Sequence, residues 1–380
     1  MNEKIRIVHI AQAAGGVERY LQMLLKYADK EKYENILICS QDYDAQKFEG
    51  LATVIEQEQM QREIGLHDFS TVWKVRRLLK KYRPDVVYTH SSKAGAIGRV
   101  ARIGIKCKCI YNPHGWSFNM RGSSKKQAMY SAIEKFLALL CNKIVCISNA
   151  EKRSALERKI CRESKLQVIF NGVDISAYDQ NTKKVQREAL KIPADAFVVG
   201  MVGRLSEQKA PDVFIRAAQI IKKRIPNAFF IIVGSGDMHN EVQQFAEEQG
   251  FADSLLITGW IDDPAIYVNC FDVAMLLSRW EGFGLVLPEY MLAQKPVVAT
   301  AVDAIPDIIT HGENGLLVPV DDCSAAAEAI CELFQNRELA GCLIKNGIAC
   351  AHEKFRAERV SQETERMIAG ILRNVSLQEV

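Results

Sequence analysis

Residues Val273–Thr300 read VAMLLSRWEGFGLVLPEYMLAQKPVVAT. The stretch opens on an apolar run, Val273–Leu277, and closes on a second, Pro296–Ala299. Between them, Glu281-Gly282-Phe283-Gly284 forms a turn in which glycines let backbone approach a neighbour closely. Pro288 lacks an amide hydrogen and is tolerated only in a first helical turn, so a helix must begin near Leu285. Strand, turn, helix and strand follow in order, and both strands are apolar throughout rather than alternating. This predicts a parallel unit whose sheet is covered on both faces.

The same alternation extends through the rest of the chain. Apolar runs at Phe197–Val202, Ala228–Val233 and Leu255–Thr258 precede the stretch. A further set lies at Ile5–Ile10, Asn35–Cys39, Asp85–Tyr88, Cys109–Asn112 and Lys143–Ile147, with helical patterns at Val17–Ala28, Thr71–Tyr82 and Lys126–Leu140. Two such sets predict an α/β chain of two Rossmann-like doubly wound domains. The polar segment Asp179–Arg187 is the candidate linker, which gives an N-terminal domain over 1–185 and a C-terminal domain over 186–355. Ligands of such sheets sit at the carboxyl ends of strands, here expected in the cleft between the domains.

Composition narrows the class. The 380 residues are 48% hydrophobic and 25% charged, as in globular proteins. No apolar run reaches the roughly 18–20 residues of a spanning helix, and Ile5–Ala14 reads as a buried strand, not a signal peptide. The eleven cysteines are scattered, without zinc spacing, and read as reduced cytosolic thiols. The net charge of +3 hides an asymmetry: residues 1–190 hold 33 Lys+Arg against 20 Asp+Glu, and the remainder hold 16 against 26. A basic first half suits an anionic surface. Basic and apolar residues mix along Thr71–Lys81 and Gly115–Leu140, including Trp116, Phe118, Met120, Arg121, Lys125 and Lys126. That mixture fits a bilayer interface better than nucleic acid, and no nucleic-acid-binding signature is present.

The loops carry the chemistry. Glu281 and Glu289 flank a helix N-terminus, where free amides favour an anion and carboxylates suit sugar hydroxyls. Two carboxylates also admit glycoside hydrolysis. Gly203-Arg204 and Lys209 follow a strand and are well placed for a diphosphate. Gly234-Ser235-Gly236-Asp237 follows another strand. Gly15-Gly16 opens the first helix but lacks the third glycine of a dinucleotide fingerprint and the Walker lysine. His114 lies in a loop, where it could orient a sugar hydroxyl or serve structure alone. Asp262-Asp263 resembles a helix cap, and no metal site is expected.

Taken together, Gly15-Gly16-x-Glu18-Arg19, His114-Gly115, Asn171-Gly172-Val173-Asp174, Gly203-Arg204-Leu205 with Lys209, Gly234-x-Gly236-Asp237, Glu281 with Glu289, and Asn314-Gly315-Leu316-Leu317-Val318 resemble the retaining glycosyltransferases of family 4, which have the GT-B fold. Ser91–Gly95, Gly98-Arg99 and Asn112–Phe118 look most like members that extend polyprenyl-diphosphate-linked glycans. The resemblance implies that Arg204 and Lys209 bind the donor diphosphate, Glu289 the ribose and Glu281 the transferred sugar. Gly15, Gly16, Gly203, Gly234, Gly236, Trp260 and the Phe283, Gly284 and Leu285 amides would complete the donor site. His114 would lie near the reactive carbon, while Lys93, Arg99 and Trp116 are the acceptor candidates. A UDP-hexose or UDP-N-acetylhexosamine is the expected donor and a lipid-linked saccharide the expected acceptor, without metal or other cofactor. The expected location is cytoplasmic, peripheral on that face of the membrane. Residues 356–380 would form a helix crossing back to the first domain. A non-catalytic nucleotide-sugar scaffold and a sugar-nucleotide epimerase are the rival readings.

Overall fold

The computed structural model describes residues 3–12, 15–60, 65, 67–120, 122–178 and 185–376. Ala14, Arg121 and most of the candidate linker, residues 179–184, lie outside this set.

The chain divides into two compact units, one of residues 1–172 with 357–380, the other of residues 173–356. The first contains strands β1 (Ile5–Ala11), β2 (Tyr33–Ser40), β3 (Val54–Glu58), β4 (Val86–His90), β5 (Lys108–Asn112), β6 (Lys143–Cys146) and β7 (Leu166–Val168). They form one parallel sheet ordered β3-β2-β1-β4-β5-β6-β7. The second contains β8 (Phe197–Val202), β9 (Ala228–Val233), β10 (Leu255–Ile257), β11 (Val273–Leu276), β12 (Val297–Thr300) and β13 (Leu316–Val318), in the parallel order β10-β9-β8-β11-β12-β13. Both are doubly wound, as the apolar runs predict.

Successive residues on β1 serve opposite faces, the two-residue period of an extended chain. Ile7 and Ala11 pack with Tyr20, Leu21 and Leu24 of the helix Gly16–Lys26 and with Val360, Met367 and Ile368 of the helix Ala357–Ser376. Val8 and Ile10 pack on the other side with Val75, Leu79 and Ile97. In the second unit every residue of β8 and β9 is buried. The helix Pro211–Arg224 between β8 and β9 in the chain starts on proline, carries Asp212 in its first turn and ends on Lys222, Lys223 and Arg224, a polarity matched to the helix dipole.

Two expectations are corrected. The division falls at 172/173, not 185/186. Val173 already belongs to the second unit, because its amide donates to the Phe355 carbonyl at 2.7 Å and it bridges to Arg356. Three strands escaped the apolar-run reading: β3, β7 and β13. Each lies at a sheet edge, where strands are short and partly open to solvent, so no long apolar run marks them.

No helix among the described residues is long and apolar enough to cross a membrane. The helix Ser124–Ala138 turns Met129, Ile133 and Phe136 outward, with Leu139 just beyond its end. Lys125, Lys126 and Lys135 are exposed on the same helix. The helix His67–Tyr82 exposes Phe69 and Trp73.

Candidate functional site

In the second sheet, β8 and β11 are neighbours whose onward connections run to opposite sides. A crevice opens at the carboxyl ends of such a strand pair. The loop after β8 carries Gly203, Arg204 and Lys209, and the loop after β11 carries Ser278, Arg279 and Glu281. The two loops are stitched together. The Arg279 amide donates to the Gln208 carbonyl at 2.8 Å, and Gln208 Nε2 donates to the Trp280 carbonyl at 3.1 Å. The Arg279 guanidinium bonds the Glu207 carbonyl at 2.9 Å and pairs with Asp212 and Asp321. Arg279 is therefore consumed in holding the loops.

Lys209 and Glu281 meet at the centre. The ammonium is ion-paired with Glu281 Oε2, which also accepts a hydrogen bond from Ser278 Oγ at 3.1 Å. The Glu281 amide donates to Asp303 Oδ2 at 2.9 Å, fixing the backbone from behind. The Lys209 stem lies over Gly203: a Cβ there would stand 3.4 Å from Lys209 Cγ. Arg204 is exposed, and its guanidinium makes no ion pair among the described residues. One cation thus sits held and half-buried while the other reaches into solvent, an arrangement suited to clamping a polyanion.

Glu289 is buried on the helix Val286–Leu292, which starts where Pro288 requires. The neighbouring Tyr290 hydroxyl accepts the Val202 amide at 2.7 Å and ties this helix to the end of β8. Burial holds the Tyr290 phenol well above its usual range. Gly284 has φ of 89°, a left-handed value that favours glycine. No hydrogen bond from the Gly284 or Leu285 amides is found among the described residues. The Phe283 ring is buried, edge-on to Phe355 at 5.7 Å. Trp260 is 72% exposed in the loop after β10, next to Gly259, which bridges to Gly234.

The glycines separate into two kinds. A Cβ on Gly234 would stand 2.0 Å from the Gly203 carbonyl oxygen, and one on Gly236 would stand 2.3 Å from that of Leu205. These two are required by backbone packed on backbone within the unit. Gly15 has φ of 86° and opens the first helix. Among the described residues nothing lies within 4 Å of a Cβ on Gly16, so none of them demands a glycine there.

In the first unit, His114 holds φ of 51°, a strained value for a residue with a side chain. Its amide donates to Asn112 Oδ1 at 3.0 Å. Its Nε2 lies 3.1 Å from His90 Nδ1, and His90 Nε2 lies 3.2 Å from His9 Nδ1. Desolvation pushes His114 down to about 3, His9 to about 4 and His90 well below its ordinary value. Glu151 braces the same loop. Its carboxyl accepts the Ile147 amide at 2.9 Å, and burial raises it to about 8.

The three acceptor candidates are corrected. Arg99 is wholly buried, paired with Glu134 at 2.9 Å and stacked 3.8 Å over Tyr111. Trp116 is buried, stacked on Phe118 at 5.0 Å, and its indole donates to the Glu151 carbonyl at 3.0 Å. The Lys93 ammonium is salt-bridged to Asp68. All three build the first unit, and none offers an open head group. Sequence reasoning missed Ser278, Asp303, Glu151 and the partner histidines. Ser278, Asp303, Glu151 and His90 lie at or shortly after strand ends, His9 lies within β1, and none of them has a recognisable spacing.

Among the described residues, no group of three or more His, Cys, Asp or Glu could hold a metal ion. Residues 14–177 match the family model described as Glycosyltransferase Family 4, and residues 182–349 match that of Glycosyl transferases group 1. An Escherichia coli UDP-Gal:alpha-D-GlcNAc-diphosphoundecaprenol alpha-1,3-galactosyltransferase is 27% identical over 89% of this chain and 90% of its own. A Staphylococcus aureus capsular polysaccharide biosynthesis glycosyltransferase is 26% identical over 83% of this chain and 84% of its own. A crystal structure of an Anabaena protein in complex with UDP and glucose superposes with a TM-score of 0.84 at 22% identity, covering 96% of this chain and all of the other.

Proposed function

This chain belongs to glycosyltransferase family 4 and has the GT-B architecture, and on that premise we propose that it transfers a hexose or N-acetylhexosamine from a UDP-sugar to a lipid-linked saccharide, with retention of configuration. The observation that carries the reading is the Lys209–Glu281 pair beside the unpaired Arg204 at the switch point of the second sheet. Arg204 and Lys209 bind the diphosphate and offset the charge that grows on the departing nucleoside diphosphate. Such preorganised charge is typically worth on the order of 3 kcal/mol per group in the barrier. Glu281 holds hydroxyls of the transferred sugar and Glu289 those of the ribose. The Gly284 and Leu285 amides supply further donors. His114 is assigned a contact to a sugar hydroxyl, as the resemblance to the family implies. The leaving phosphate accepts the acceptor's proton, so no protein base and no metal is needed. The acceptor named for the E. coli relative supports a lipid-linked saccharide here.

We propose that the reaction takes place at the cytoplasmic face of a membrane. Met129, Ile133, Phe136 and Leu139 form an outward apolar stripe beside exposed lysines, and that combination binds anionic bilayers. UDP release on a donor panel, with wild type and Lys209→Ala, tests the chemistry. Unchanged turnover in the variant would remove the donor-site assignment. Flotation with anionic vesicles at moderate salt tests the membrane reading, which falls if the protein stays at the bottom of the gradient.

A further inference from the structure

Three strands of the first sheet place a polar row on an otherwise apolar face. Pairing sets Ile7 against Asn35 between β1 and β2, and sets His9 against Tyr88 and Ala11 against His90 between β1 and β4. Side chains two residues apart share a face. Asn35, His9 and His90 therefore lie in one diagonal line, on the side where Ile7, Ala11, Leu37, Val86 and Tyr88 pack. All three are buried. His114, in the loop after β5, extends the line.

Contacts along the row are continuous. Asn35 Oδ1 lies 3.1 Å from His9 Nε2, His9 Nδ1 lies 3.2 Å from His90 Nε2, and His90 Nδ1 lies 3.1 Å from His114 Nε2. Tyr20 closes over the end, edge-on to His114 at 4.6 Å, with its hydroxyl 3.3 Å from that of Tyr88. His114 Nδ1, the last ring nitrogen in the line, makes no hydrogen bond among the described residues.

Burial keeps each ring neutral, and a neutral imidazole has one donor nitrogen and one acceptor. A carboxamide oxygen only accepts, so His9 must donate to Asn35 from Nε2. Its Nδ1 is then an acceptor, which requires His90 to donate from Nε2. The same step repeats at His114. One amide oxygen at the far end thus sets the direction of every bond in the row.

We infer that Asn35, His9 and His90 are positioning residues that hold His114 as its Nε2–H tautomer and leave Nδ1 bare to accept a hydrogen bond from a substrate hydroxyl. The substrate half of this statement rests on the sugar-contact reading of His114 given above; the tautomer half does not. Buried rings fixed at both nitrogens also lock the orientation of the loop that carries His114, as supporting partners do for metal-bound histidines.

The test uses full-length protein labelled with 15N-histidine. Long-range 1H–15N correlation at pH 7 reports which nitrogen of each ring carries the proton. His9, His90 and His114 are each expected with Nε2 protonated and Nδ1 bare, and a proton on His114 Nδ1 overturns the inference. In Asn35→Leu the fixed direction is lost, and His114 is expected as a tautomer mixture. Transfer should then fall about tenfold in kcat, the scale of one hydrogen bond, while UDP affinity holds. Asn35→Asp keeps an acceptor and should restore the single tautomer. An unmixed Nε2–H tautomer in Asn35→Leu also overturns the inference. Where Asn35→Leu does not fold, the wild-type spectrum alone decides. A wild type that transfers no sugar defeats the proposed function while leaving the tautomer result to stand or fall by itself.

Discussion

The Lys209 ammonium and the Glu281 carboxylate are ion-paired, one from the loop after β8 and the other from the loop after β11. Read separately, they look like a diphosphate ligand and a sugar ligand. Together they form a preset pair in which, on the proposed function, glutamate holds the cation ready for the donor diphosphate. Lys209→Ala is expected to lower kcat/KM by roughly 10²–10³-fold, the loss seen when one preorganised donor is removed. Breaking one partner also leaves the other half-buried and unpaired. A double-mutant cycle on Tm should therefore show Lys209→Ala and Glu281→Ala together costing less than the sum of the two.

The glycines predict opposite behaviours. Gly234→Ala drives a Cβ to 2.0 Å from a backbone oxygen, so the variant should be strongly destabilised or insoluble. Gly16→Ala meets none of the described residues within 4 Å and lies on a helix that alanine favours. Its Tm should equal or exceed that of wild type. If Gly16 serves approach of the donor, its KM for the UDP-sugar should rise. Calorimetry and steady-state kinetics on the two variants separate these roles.

A linear sequence pattern carries some parts of a fold and not others. Interior strands such as β8 and β9 are buried on both faces and announce themselves as unbroken apolar runs of six, whereas the edge strands β3 and β7 carry polar residues and β13 is only three residues long. Loop glycines and Pro288 mark turns and helix starts through backbone rules that act locally. Arg99 and Trp116 misled because a charged or aromatic residue looks exposed until its partner is known. Those partners, Glu134 and Glu151, lie 35 residues away in the chain. The histidine row depends on strand register and has no linear signature at all.

Acid should weaken the first unit. His9, ordinarily near 6.5, is pushed down to about 4 and His114 to about 3. Below pH 6.5 the unfolded chain takes up protons that the folded chain excludes, so stability is lost as pH falls from about 6.5 toward 4 and is unaffected by these groups above 7. At about 1.4 kcal/mol per unit of pKa, His9 alone accounts for on the order of 3 kcal/mol. Urea midpoints at pH 7 and pH 5 check this, with a smaller difference expected in His9→Gln.

Glu151 acts with the opposite sign. Its carboxyl is raised to about 8 by burial, so its contribution is present at low pH and lost as pH rises from about 4.5 through 8. Glu151→Gln retains an oxygen to accept the Ile147 amide and cannot ionise. The Tm of Glu151→Gln relative to wild type should climb steadily from pH 5 to pH 8.5. A constant difference would show that the carboxyl is already ionised in the folded protein.

The central claim is sugar transfer to a lipid carrier from a donor held by Arg204, Lys209, Glu281 and Glu289. The most direct measurement is mass spectrometry of a diphosphopolyprenyl-linked saccharide after incubation with the protein and each UDP-sugar in the presence of a metal chelator. The account predicts that one donor adds a single hexose or N-acetylhexosamine to the lipid, with UDP released in equal amount, and that Lys209→Ala suppresses both. An acceptor mass unchanged with every donor, together with UDP release that is the same with and without acceptor, would contradict it.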